Sequence, residues 1–116
     1  MPRKKAQDYV VVLVTCGSRA EAQRIAGEIV NGRLAACVNI LDLPVRSVYR
    51  WQGKVEKARE FLLMIKSSRA KLAALEAEVK RLHSYDVPEF IALPIVAGSP
   101  AYLQWLHESL SPERKA

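Results

Sequence analysis

Few side chains in this 116-residue sequence are of a kind that does chemistry, and they lie far apart. The only cysteines, Cys16 and Cys37, lack CxxC spacing. Such thiols fit a reducing compartment, as buried or ligand sulfur, better than a disulfide scaffold. Cys37 stands among apolar residues, where a free cysteine usually packs as a small hydrophobe. His83 falls at the C-terminus of an expected helix, where capping and the helix dipole account for it, and loop hydrogen bonding accounts for Glu89. Lys66 and Glu60 share a strand face, an arrangement that suits an anion. There is no Ser-His-Asp, paired-carboxylate or metallohydrolase pattern and no glycine-rich phosphate loop, so neither an enzyme nor a nucleotide site is expected.

These residues must be positioned by elements that the patterning makes visible. Tyr9 to Thr15 is a continuous β-branched run, the mark of a central strand buried on both faces. Ser18 with Glu21 three residues on forms a capping box, and Ala22, Ile25, Ala26, Ile29 and Val30 follow at helical spacing up to Asn31-Gly32. Leu34 to Leu41 reads as a second strand. After Asp42-Leu43-Pro44 it resumes from Val45 to Trp51, which places Pro44 within an edge strand. Gln52-Gly53 is a two-residue turn, and Lys54 to Ser67 alternates as a long third strand. Ser67 or Ser68 opens a second helix through Leu72, Leu75, Val79 and Leu82. Pro88 to Val96 is a fourth strand, and Ser99-Pro100 opens a third helix carrying Leu103, Leu106 and Leu110 inward.

The order is βαββαβα, an α+β ferredoxin-like βαββαβ sandwich with an extended hairpin and a C-terminal helix. The expected strand order is 4-1-3-2. Half the residues are apolar and a quarter are charged, the composition of a globular core. One domain accounts for the whole length, 1–116, with 1–7 and 111–116 as flexible tails. The formal charge of +6 falls mostly on those tails, since residues 6–111 hold 13 Lys and Arg against 11 Asp and Glu. Solvated basic termini explain this without a nucleic-acid partner. No long apolar run indicates secretion or membrane spanning, so the cytoplasm is the expected location.

The hairpin poses a problem of length. Fourteen residues from Lys54 to Ser67 extend about 46 Å, against a span of about 35 Å for a compact domain of this size. The arm must overhang, and a bare overhang invites aggregation, so an oligomer should cover it. A two-residue turn sets Trp51 opposite Lys54, Tyr49 opposite Glu56 and Val45 opposite Glu60. One face therefore mixes aromatics with both charges.

Leu34-Ala35-Ala36-Cys37-Val38-Asn39-Ile40, Tyr49-Arg50-Trp51-Gln52-Gly53-Lys54-Val55-Glu56, Tyr85-Asp86-Val87-Pro88-Glu89 and Tyr102-Leu103-Gln104-Trp105-Leu106 occur in this order. Together they resemble the CutA family of divalent-cation tolerance proteins, from about Val10 to Leu110. The resemblance implies a homotrimer similar to the nitrogen-regulatory PII proteins. It implies a role in tolerance of copper and other divalent metals, with no obligatory cofactor and no established reaction. It also implies metal ligands at His83 and Glu89 and at a strand-one cysteine. The family's cysteine aligns with Val14 here, so Cys16, two residues on and on the same face, stands in for it only if the strand reaches that far. Thiolate, imidazole and carboxylate suit Cu(II) or another divalent cation. Finally, Cys37, Trp51, Glu60, Lys66, Tyr85 and Trp105 match positions around a cleft between subunits. The alternative role is a PII-like signalling module that binds a small anionic ligand there.

Overall fold

The computed structural model describes residues 5–112. Of the expected tails, 1–4 and 113–116 lie outside the described residues. Residues 6–8 form a 3-10 turn, and Ser111 closes the last helix by bonding to Glu108 and His107.

β1 (Tyr9–Cys16) follows the apolar run and extends one residue beyond it, to Cys16. α1 (Arg19–Asn31) starts where Ser18 Oγ accepts the Glu21 amide at 3.2 Å. The reciprocal half of the capping box does not form, because the Glu21 side chain bonds Ser84 instead. β2 (Cys37–Ile40) is half the expected length. The Leu34 and Ala35 amides still bond Ile29, and Arg33 takes a left-handed φ of 60°, so the chain is turning where extension was expected. Pro44 lies in neither strand but in the break before β3 (Val45–Trp51). This break satisfies the missing donor without a bulge.

β4 (Lys54–Ser68) is the long arm. Gln52 (φ 51°) and Gly53 (φ 82°) are both left-handed, the turn geometry that matches strand twist in a two-residue hairpin. The facing pairs are those the turn dictates, Trp51 with Lys54, Tyr49 with Glu56 and Val45 with Glu60. A 3-10 turn capped by Ser68 leads into α2 (Leu72–Leu82). β5 (Ile91–Pro94) is shorter than expected and ends at Pro94. α3 (Pro100–Leu110) begins with Pro100 after the Ser99 cap, as its sequence requires.

The sheet order is β2-β4-β1-β5, all antiparallel, with β3 pairing β4 beyond β2. This is the expected 4-1-3-2 ferredoxin-like arrangement. α1 and α2 bury one face, where Val10, Val12, Val14, Leu63 and Ile65 meet Ile25, Ile29, Leu75 and Val79. α3 covers only one end of the other face, over Tyr9 and Ala36. Val11, Leu13, Leu62 and Met64 there stay half-buried, and Ile91 and Leu93 are 50% and 49% exposed. The hairpin stretches the described chain to 52 × 28 × 25 Å. The overhang is therefore present.

Candidate functional site

Three elements meet at a knot of polar side chains. Cys16 ends β1, Glu21 lies in the first turn of α1 and His83 caps the C-terminus of α2. The Cys16 sulfur, a Glu21 carboxylate oxygen and a His83 ring nitrogen all lie within 4.8 Å of one another. His83 is buried, with Nε2 2.7 Å from the Thr15 carbonyl and Nδ1 accepting the Tyr85 amide at 3.0 Å. A carbonyl only accepts, so Nε2 carries the proton and Nδ1 the lone pair. Glu21 accepts from the Ser84 amide at 2.8 Å and from its hydroxyl at 3.1 Å. Burial pushes the Cys16 thiol up to about 12, with the Glu21 and Glu60 charges adding to the effect.

By type and proximity these donors fit a copper or zinc ion. All are engaged within the chain, however. Capture of an ion requires Cys16 to lose a proton and His83 to give up one of its two hydrogen bonds. The expected third ligand, Glu89, is not in the group. Glu89 lines a neighbouring cleft instead, and Glu21, read from sequence only as a cap, is the carboxylate beside Cys16 and His83.

Beside Tyr85 lies a cleft of about 740 Å³ that runs along the hairpin from Glu60 toward Trp51 at its turn. Alternation along β3 and β4 puts Tyr49, Trp51 and Glu60 on its wall. The loop supplies Tyr85, Asp86 and Glu89, and the end of β1 supplies Thr15. Glu60 is only 6% exposed, and its Oε2 accepts the Tyr85 hydroxyl at 2.9 Å. Desolvation and Glu60 hold the Tyr85 phenol well above its ordinary range. Partial burial and Glu60 likewise raise the Glu89 carboxyl. The Tyr85 ring rests on His83 with centroids 4.7 Å apart. One chain of contacts, His83 to Tyr85 to Glu60, therefore joins the knot to the cleft.

The other cleft candidates are elsewhere on the chain. Cys37 pairs with Lys66 across β2 and β4, and the Lys66 amine bonds Asn39. Trp105 packs on Tyr102 of α3 at 5.4 Å, and the Tyr102 phenol is raised by burial and by nearby Cys37. Lys66 and Glu60 do share a face, but six residues of strand separate them by about 20 Å. The six residues thus form two groups, Trp51, Glu60 and Tyr85 lining the cleft and Cys37, Lys66 and Trp105 outside it. Sequence reasoning missed Glu21 and Gly17. The signal for Glu21 was its place in the helix turn next to Cys16. For Gly17 it was the bare glycine of the Cys16-Gly17-Ser18 turn, over which Tyr85 lies.

Comparison with known proteins identifies the chain's relatives. The chain is 49% identical over 100 residues to the chloroplastic protein CutA 1 of Oryza sativa subsp. japonica, covering 86% of this chain and 56% of that protein. It is 48% identical over 99 residues to the divalent-cation tolerance protein CutA of Thermus thermophilus, covering 85% and 95%. It spans a little over half the length of the plant relatives it matches. The solved structure of the Thermus thermophilus divalent cation tolerance protein superposes with a TM-score of 0.85 at 46% identity, over 87% of this chain and 97% of that one. The family model for CutA1 divalent ion tolerance protein matches residues 10–109, and the chain belongs to that family.

Proposed function

We propose that this chain works as a cytoplasmic homotrimer that captures divalent metal ions, copper foremost, and so contributes to tolerance of them. One observation carries the proposal, the convergence of Cys16, Glu21 and His83 at the joint of three elements. The ion is cargo rather than a resident cofactor, and the engaged donors suit reversible capture, since the hydrogen-bonded knot re-forms when the ion leaves. The uncovered apolar face of the sheet and the projecting arm support assembly. Both cysteines are free, in keeping with a reducing compartment.

Sedimentation should find a trimer at micromolar concentration, and Cu(II) titration should show at least about tenfold weaker binding for Cys16→Ser and for His83→Ala. A monomer refutes the assembly, and copper affinity unchanged in both variants refutes the site. A second reading is a signalling module with a small ligand in a cleft between subunits. It is favoured by the two groups of aromatic and charged residues on one face, which only a second copy can bring together.

A further inference from the structure

The small net charge of residues 6–111 conceals an uneven distribution. The hairpin from Val45 to Arg59 holds five Lys and Arg against one Glu, while the rest of that stretch holds eight against ten. Alternation sorts the arm further. Arg46 faces Arg59, Val48 faces Lys57 and Arg50 faces Val55, so these six side chains share one face. Four are cations, none is acidic, and all six are exposed. Glu56 lies on the other face with Tyr49 and Trp51. Like charges directly opposite each other, as Arg46 and Arg59 are, cost stability, and an outside anion relieves that repulsion. The basic face is also not the one that the proposed assembly would bury. Along β4 it continues into Phe61, Leu63 and Ile65, which pack in the core under α1 and α2. The apolar surface left bare, with Leu13, Ile91 and Leu93, belongs to the opposite side of the sheet. At the inner end of the basic face Arg19 lies over Phe61 and holds Asp42 at 2.9 Å, so that acid is already neutralised.

We infer that the basic face of the arm binds the phosphate backbone of a duplex nucleic acid. Arg46 and Arg59, then Lys57, then Arg50 succeed one another over about 13 Å of strand. Four phosphates of one duplex strand cover about the same length, at roughly 3.4 Å of axis each. Backbone contact asks only for exposed cations, and Arg and Lys are its ordinary donors. The alternatives ask for more. A single strand is held by stacking on aromatic rings, and a protein partner by aromatic anchors in an interface of about 1,000 Å² or more. Both rings of the arm, Tyr49 and Trp51, lie on the other face. An anionic membrane takes a broad apolar face beside its cations, whereas the apolar side chains here are two short ones, Val48 and Val55.

Fluorescence anisotropy of a short, mixed-sequence DNA duplex, titrated with the full chain between about 50 and 200 mM salt, tests the inference. Affinity should fall by about a hundredfold across that range, the dependence expected of four phosphate contacts. Arg46→Ala, Lys57→Ala and Arg59→Ala should each lower the logarithmic salt slope by about one, with sedimentation unchanged. The double variant Arg3→Ala/Lys4→Ala, outside the arm, should leave that slope in place. No binding at the lowest salt overturns the proposal. A slope lost in the Arg3/Lys4 variant and kept in all three arm variants overturns the site. Poly-glutamate, phosphatidylserine vesicles or a single strand bound as tightly as the duplex at equal salt overturns the choice of partner. Dissociation of the assembly by the arm variants assigns the face to a second copy of the chain and overturns it as well.

Discussion

Tyr85 and Glu60, 25 residues apart in sequence, are joined by a 2.9 Å hydrogen bond from the phenol hydroxyl to Oε2. Both residues line the cleft. The bond also ties the Cys16–Glu21–His83 knot to the cleft, because the Tyr85 amide bonds His83 Nδ1 while its hydroxyl holds Glu60.

Tyr85→Phe leaves the buried carboxylate without its donor and should cost about 1–3 kcal/mol. Gly17 lies directly beneath, and a Cβ there would stand 3.1 Å from the Tyr85 hydroxyl. Gly17→Ala should therefore destabilise by displacing the phenol, and should cost measurably less in the Tyr85→Phe background. Denaturant unfolding of the four forms gives this coupling. Strict additivity would show that the two positions do not meet.

The Cys16 thiol is held up to about 12 by burial. Because its folded-state value is raised, its contribution to stability is complete below about 9, the ordinary value, and is lost as pH rises toward 12. Alkaline unfolding should shift to higher pH in Cys16→Ala. At pH 8 a maleimide should label Cys37, which is half-buried, and spare Cys16 until the chain unfolds. Rapid labelling of Cys16 in the folded protein would contradict the packing.

In the proposed site, copper binding through the Cys16 thiolate would release a proton. Apparent affinity should therefore rise by about tenfold per pH unit between pH 7 and 8. The same slope in Cys16→Ser would exclude the thiolate as a ligand.

Leu13 sits mid-strand on the part of the sheet face that α3 leaves uncovered. In the proposed homotrimer this face is covered, so Leu13→Asp should place an unpaired charge at the interface and shift sedimentation toward monomer. The circular dichroism of the fold should be retained. An unchanged oligomer would place the interface elsewhere.

The hairpin turn stores avoidable strain, since Gln52 occupies a left-handed φ of 51°. Asn tolerates that region, so Gln52→Asn should stabilise by roughly 0.5–1 kcal/mol, readable in the unfolding midpoint.

Much of the fold was legible because it depends on local chemistry. The β-branched run of β1, the Ser18 and Ser99 caps, Pro100 at its helix start and the Gln52-Gly53 turn each act within a few residues. The register of the hairpin follows from its turn length, and so does the facing of Tyr49 and Glu56. β2 and β5 came out shorter than their apolar runs. Strand ends are set by where partners stop and the chain must turn, and neither is written in the runs themselves.

By itself, the sequence determined the family, the order of elements and the overhanging arm, because motif spacing and alternation are properties of the chain alone. Only the tertiary structure decided which side chains converge. It put Glu21 rather than Glu89 beside Cys16 and His83, and it left three of the six cleft candidates lining the cleft and three outside it. Such groupings depend on how three elements meet at one point and on which way a loop returns. Those are long-range packing outcomes, and no spacing within one segment encodes them.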